Sequence, residues 1–190
     1  MKRLLKTLTL IVVALVTVAC GDTSHEYTIG SCFCVIDNAT HQDPTLAGAM
    51  NVNAPGTFCI IKTSFRNGAN YFEFTDNTGV SSSKIFNAVD SRRTLVLGYN
   101  NGIIVGYSAL NVPATFYAFD RECPNCFDPQ ALPVRSKPLG LTTSGMAICN
   151  VCHREYSLNN DGYVVSGDQG KKLTRYHADT TGPFGVLSVR

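Results

Sequence analysis

The sequence predicts an all-β protein, and three observations carry that reading. No long stretch shows apolar residues at helical spacing, and residues 45 to 50 and 82 to 92 have room for short helices at most. Short runs rich in Val, Ile, Phe, Tyr and Thr recur, bounded by Gly, Asn, Asp and Ser. Segments such as Asn100-Asn101-Gly102 and Asn159-Asn160-Asp161-Gly162 have the composition of tight turns between strands.

The chain opens with Met1, Lys2, Arg3 and Lys6, followed by an apolar run from Leu8 to Ala19 that is too short to span a bilayer and stops at Cys20. This is the pattern of an export signal over residues 1–19. The residues Thr17-Val18-Ala19-Cys20 resemble the lipobox of bacterial lipoproteins, although Thr17 stands where that family prefers Leu. The resemblance implies cleavage before Cys20 and a lipid on that cysteine, hence a lipid-anchored protein of the cell envelope, at the outer membrane, with the membrane as its first partner. Residues 20–30 then form a polar tether, and residues 31–190 a single β-rich domain. Removing residues 1–19 takes away three of the 16 Lys and Arg and none of the 14 Asp and Glu, leaving 171 residues with a net charge of about −1. A near-neutral chain with no basic run is not built to bind nucleic acid.

Expected strands, in order, are Cys32 to Ile36, Phe58 to Phe65, Tyr71 to Phe74, Thr94 to Tyr99, Ile103 to Tyr107 and Thr115 to Phe119. The turn at Asn100-Asn101-Gly102 joins two of them, so Thr94 to Tyr107 should form a hairpin. Four more follow: Glu155 to Leu158, Tyr163 to Ser166, Leu173 to His177 and Val186 to Val189. Ser81-Ser82-Ser83 reads as a surface loop. Residues 31 to 93 either complete the same β-domain or form a small module beside it.

The chemistry lies in two Cys-x-x-Cys pairs, Cys123-Pro124-Asn125-Cys126 and Cys149-Asn150-Val151-Cys152, separated by 22 residues. Each pair can close a loop onto one ion, and together they supply four soft ligands for zinc, a mononuclear iron or a 2Fe-2S cluster. Export favours disulfides as the competing use of the same thiols. Three further cysteines, Cys32, Cys34 and Cys59, lie in the domain, and a bridge from Cys32 or Cys34 to Cys59 would leave one thiol over. The run Cys149-Asn150-Val151-Cys152-His153 also fits a c-type haem attachment motif, in a context of strand and turn that does not suit it.

Over roughly residues 94 to 190 the chain resembles a Rieske-type domain. In that family a β-hairpin leads into a first metal-binding loop, a second loop follows, and a glycine-rich hairpin comes after it. Here Phe116 to Asp120 runs into the first cysteine loop, and the second leads to Tyr156-Ser157-Leu158, to Asp161 to Gly167, and to Leu173 to Tyr176. The resemblance implies a β-sandwich or barrel with a small metal-binding subdomain, about residues 120–160. Rieske loops each carry one Cys and one His, whereas Asn125, followed by Cys126, and Cys152 stand where the histidines belong. The all-cysteine set is similar to those of rubredoxins and zinc ribbons. Zinc would make the site a structural staple; iron would make the protein an electron carrier with a protein redox partner.

No catalytic residues are assigned, because the chain lacks Gly-x-Ser-x-Gly, a Walker-type loop and His-Glu-x-x-His. Asp120 and Glu122 beside the first loop read as solvated charges rather than an acid and base pair. His153 is a candidate hydrogen-bond donor behind the metal ligands, and His41 beside Asp43 reads as a turn residue.

Overall fold

The computed structural model describes Tyr27 and residues 32–190; the expected signal, Cys20 and the rest of the tether lie outside the described residues. In chain order the elements are β1 (Cys34–Asp37), α1 (Asn38–His41), α2 (Pro44–Ala49), β2 (Phe58–Arg66), β3 (Ala69–Asp76), β4 (Ser81–Ile85), β5 (Ile103–Tyr107) and β6 (Phe116–Asp120). Then come β7 (Leu139–Leu141), β8 (Met146–Cys149), β9 (Glu155–Ser157), β10 (Tyr163–Ser166), β11 (Arg175–Tyr176), β12 (Ala178–Thr180) and β13 (Val186–Val189). They form three sheets: six strands ordered β11-β6-β5-β2-β3-β4, four ordered β10-β9-β8-β7, and three ordered β1-β13-β12. Among the described residues the mostly-β expectation holds, with two short helices and one 3-10 turn at Asp90–Arg92. No helix of the described residues is long and apolar enough to cross a membrane.

The six-stranded sheet is central because β2 and β5 are apolar on both faces. In β2, Phe58, Cys59, Ile60 and Ile61 are all buried, which marks a strand covered on both sides. Cys59 and Ile61, with Phe72, Phe74, Val105 and Ala118, face a core completed by Leu46 of α2, by Met50 at its C-cap, and by Ile36, Leu187 and Val189 of the three-stranded sheet. Phe58, Ile60, Ile104, Tyr117 and Phe119 face the opposite way, onto Leu139, Ala147, Tyr156 and Leu158. The two helices start on aspartates: Asp37 accepts from the Ala39 N–H, and Asp43 accepts from Leu46 with Pro44 opening the first turn.

Several expected elements are rearranged. Thr94 to Tyr99 is not a strand and the Thr94 to Tyr107 hairpin does not form; Val96 makes a single bridge to Phe33. The reason is competition for edges, since β5 pairs with β2 on one side and β6 on the other and has none left. The turn at Asn101 instead leans on β2, where its side chain bonds the Thr63 N–H, hydroxyl and carbonyl. Ser81-Ser82-Ser83 is an edge strand rather than a loop: β4 pairs with β3 from Ser81 to Ile85, and a serine-rich strand suits an edge with one exposed side. Residues 32–93 share sheets with the rest, as β1 pairs with β13 and β2 with β5.

Candidate metal centre

The first cysteine loop begins where β6 leaves the central sheet. Asp120, the last residue of that strand, is buried and fastens the exit: its carboxylate accepts from the Tyr99 N–H at 2.7 Å, the Tyr176 hydroxyl at 2.6 Å and the Glu122 N–H at 2.6 Å. Burial raises the pKa of Asp120, against the pull of these donors. Tyr99 can approach because Gly98 has φ +66° and no side chain; a Cβ there would lie 2.4 Å from the Asp120 carboxylate. Glu122, also buried, accepts from Asn100, the Ser136 hydroxyl and the Lys137 N–H, tying down the far end of the segment between Cys126 and β7. The two carboxylates, read from sequence as solvated, are buried structural anchors.

The two loops are built alike. The N–H of Phe127 returns to the carbonyl of Cys123 at 2.8 Å, and the N–H of His153 returns to that of Cys149 at 2.9 Å. Each turn therefore aims both of its thiols the same way. Among the described residues, Cys123, Cys126, Cys149 and Cys152 form the one cluster of metal-ligating side chains, with all four sulfurs within 4.8 Å of one another. Cys123 Sγ is 3.8 Å from Cys152 Sγ, and Cys149 Sγ is 3.9 Å from Cys126 Sγ. Thiolates bound tetrahedrally at about 2.3 Å from one ion lie about 3.8 Å apart. A disulfide needs about 2.05 Å, and all four thiols are free.

Cys123 and Cys149 are buried, while Cys126 and Cys152 are half-buried and form the outer edge of the cluster. The sulfurs collect hydrogen bonds from β9 and from their own loops. Tyr156 places its hydroxyl 3.2 Å from Cys123 Sγ, and the Val151 N–H donates to Cys149 Sγ at 3.4 Å. Burial raises the Cys123 thiol despite the Tyr156 hydroxyl and the Asn125 N–H, and burial together with the neighbouring thiols pushes Cys126 up. Burial also opposes ionisation of Cys152, but the Arg154 backbone N–H and guanidinium outweigh it and bring that thiol down to about 6. Four thiolates this close repel one another, so a cation among them is what allows all four to ionise.

The candidate supporting residue, His153, presents an exposed ring, as a loop histidine commonly does, and its positive φ of 57° serves the turn. Its neighbour Arg154 does the supporting instead. Besides Cys152 it reaches the carbonyls of Asp168 at 2.8 Å and Gln169 at 3.2 Å. Asn125, inside the first loop, bonds the Tyr156 hydroxyl at 2.9 Å and both the N–H and the carbonyl of Lys171. Asn125 and Arg154 thus clamp the backbone of residues 168–171 across both loops, a role that no sequence pattern marks. At Gly170 a Cβ would stand 2.5 Å from Asn125 Oδ1.

The other sites read from sequence fall elsewhere. Cys32, Cys34 and Cys59 are free, buried thiols in the core on the opposite face of the central sheet, with no disulfide to Cys59. Burial raises all three, Cys32 to about 11. His41 pairs with Asp90 at 3.0 Å rather than with Asp43. No family model matches the chain, and no curated protein or solved structure matches it either.

Proposed function

We propose that this is a lipid-anchored cell-envelope protein whose Cys123, Cys126, Cys149 and Cys152 hold one metal ion, zinc in the first place, as the structural staple of a Rieske-like module. The observation that carries the reading is the convergence of four sulfurs within 4.8 Å, with separations of 3.8 and 3.9 Å that suit one tetrahedral ion. A two-iron cluster divides its thiolates between two irons and spreads them farther than a single ion does, so the spacing favours a mononuclear centre. With four protein ligands no coordination position is left open for substrate, which suits a binding or structural module rather than an enzyme.

The Rieske-like reading draws support from the order of hairpins. β5 and β6 lead into the first loop, β7 and β8 lead into the second, and β9 and β10 follow it, ahead of the glycine-rich segment. The lipid on Cys20 rests on the export pattern and the lipobox-like residues before it.

A second reading, an electron carrier with iron in the same four-sulfur site, is favoured by one observation: the half-buried Cys126 and Cys152 bring the centre to the surface, where a protein redox partner could reach it. Metal analysis of the purified full chain with a visible spectrum separates the two. Zinc at one per chain and no colour are expected. Iron with thiolate charge-transfer bands would replace the staple with the electron carrier, and metal-free protein with oxidised cysteines would overturn both.

A further inference from the structure

We infer that the end of the domain bearing Tyr27 and the loop of residues 108–115 rests on the lipid surface, so that the metal centre points away from the membrane. The inference rests on the lipid anchor at Cys20 proposed above. Tyr27 is seven residues after Cys20, and its ring is seated on the domain: it lies 4.8 Å from the Arg175 guanidinium and 5.4 Å from the His177 ring, and its hydroxyl accepts from Arg175 at 3.2 Å. Seven residues reach at most about 25 Å, so a chain pinned at Tyr27 holds this end of the domain close to the anchored lipid.

The same seat is linked to an apolar loop tip. Arg175 is stacked between Tyr27 and Tyr117, the latter at 4.5 Å, and the Tyr117 hydroxyl accepts from Asn111 at 3.0 Å. The loop base is fastened, with Ser108 and Ala109 bonded to Asn159 and the Ser108 N–H to the Thr115 carbonyl. Its tip is bare: Leu110 is 67% and Val112 100% exposed. A rigidly held pair of aliphatic side chains beside a membrane tether fits immersion at the headgroup boundary.

Exposure alone would nominate a rival, because Leu132, in the segment between Cys126 and β7, is 94% exposed. The tether favours the first. Ala114 and Thr115 line the groove that holds Tyr27, whereas Cys123 lies four residues beyond Phe119, the partner of Arg175 in the pairing of β11 with β6. At about 3.3 Å per residue the metal end is roughly 13 Å farther along the strand than the Tyr27 seat.

Because the chain has no Trp, single reporters can be placed at will. The full chain, produced in a host that processes it and carrying Val112→Trp, Leu110→Trp or Leu132→Trp, is reconstituted into vesicles of phosphatidylethanolamine and phosphatidylglycerol with brominated acyl chains. The emission of Val112→Trp and Leu110→Trp should fall about two-fold while that of Leu132→Trp is unchanged, and adding Tyr27→Ala should abolish the contrast. If intact mass shows the lipid on Cys20 and Leu132→Trp is quenched as strongly, or Val112→Trp and Leu110→Trp are unquenched, the orientation is wrong and the anchor stands. If intact mass shows no lipid on Cys20, anchor and orientation fall together.

Discussion

The two faces of the six-stranded sheet are covered by unlike means. On one face, Phe72 lies tilted against Phe86 with ring centroids 4.2 Å apart and packs with Phe74, Leu46, Met50 and the aliphatic residues of β1 and β13, an apolar core that needs nothing beyond side-chain burial. On the other, the covering layer is β7 to β10, strands of three or four residues whose last member is largely exposed. Short strands of this kind are marginal by themselves. There the apolar contact runs out at Cys123 and Cys149, buried beside Phe119 and Tyr156, and the ion proposed for the four sulfurs would add cohesion at that edge.

The largest expected effect comes from breaking the second face. Cys149→Ser removes a buried member of the proposed ligand set, and since a structural zinc binds with an apparent energy on the order of 10 kcal/mol, the ion and the order of residues 139–166 should be lost together. Metal content and far-UV circular dichroism check this. Breaking the first face has a smaller and different result: Phe74→Ala should cost about 3–5 kcal/mol in denaturant unfolding, while the folded fraction keeps its full metal content. Tyr156→Phe tests the contact between the second core and the sulfurs. It removes the hydroxyl shared by Cys123 and Asn125, with an expected cost of about 1–2 kcal/mol and faster surrender of the ion to a chelator.

The smallest effect belongs to Glu73, on the open end of the central sheet. The Ser64 hydroxyl and then the Lys62 ammonium hold its carboxyl below the usual range. A depressed folded-state pKa contributes stability that is present above the unfolded pKa and is lost as pH falls through the folded one. Glu73→Gln should therefore cost no more than about 1 kcal/mol at neutral pH, and the difference should vanish in acid.

The elements legible in sequence are those whose residues decide their own environment. Ile103 to Tyr107 is apolar enough to be central, Tyr163 to Ser166 lies between Gly162 and Gly167, and Val186 to Val189 starts after Gly185, so their limits agree with the structure. Thr94 to Tyr99 has equal strand character but no free edge to join, a fact set by β2 and β6 far away in sequence. Leu139 to Leu141 and Ala178 to Thr180 are too short to show a period, and β4 is polar because its outer side faces water. At the site, the Cys-x-x-Cys spacing marks both loops, but their convergence depends on β7 and β8 folding back between them. Asn125 and Arg154 act through the backbone of residues 168–171, which no local pattern reveals.

Amide hydrogen exchange of the full chain before and after removal of the ion by a chelator under reducing conditions tests the staple most directly. Protection should collapse in β7 to β10 and persist in β2, β3 and β5, where apolar burial suffices. Unchanged protection in β7 to β10, or equal loss on both faces of the central sheet, would contradict it.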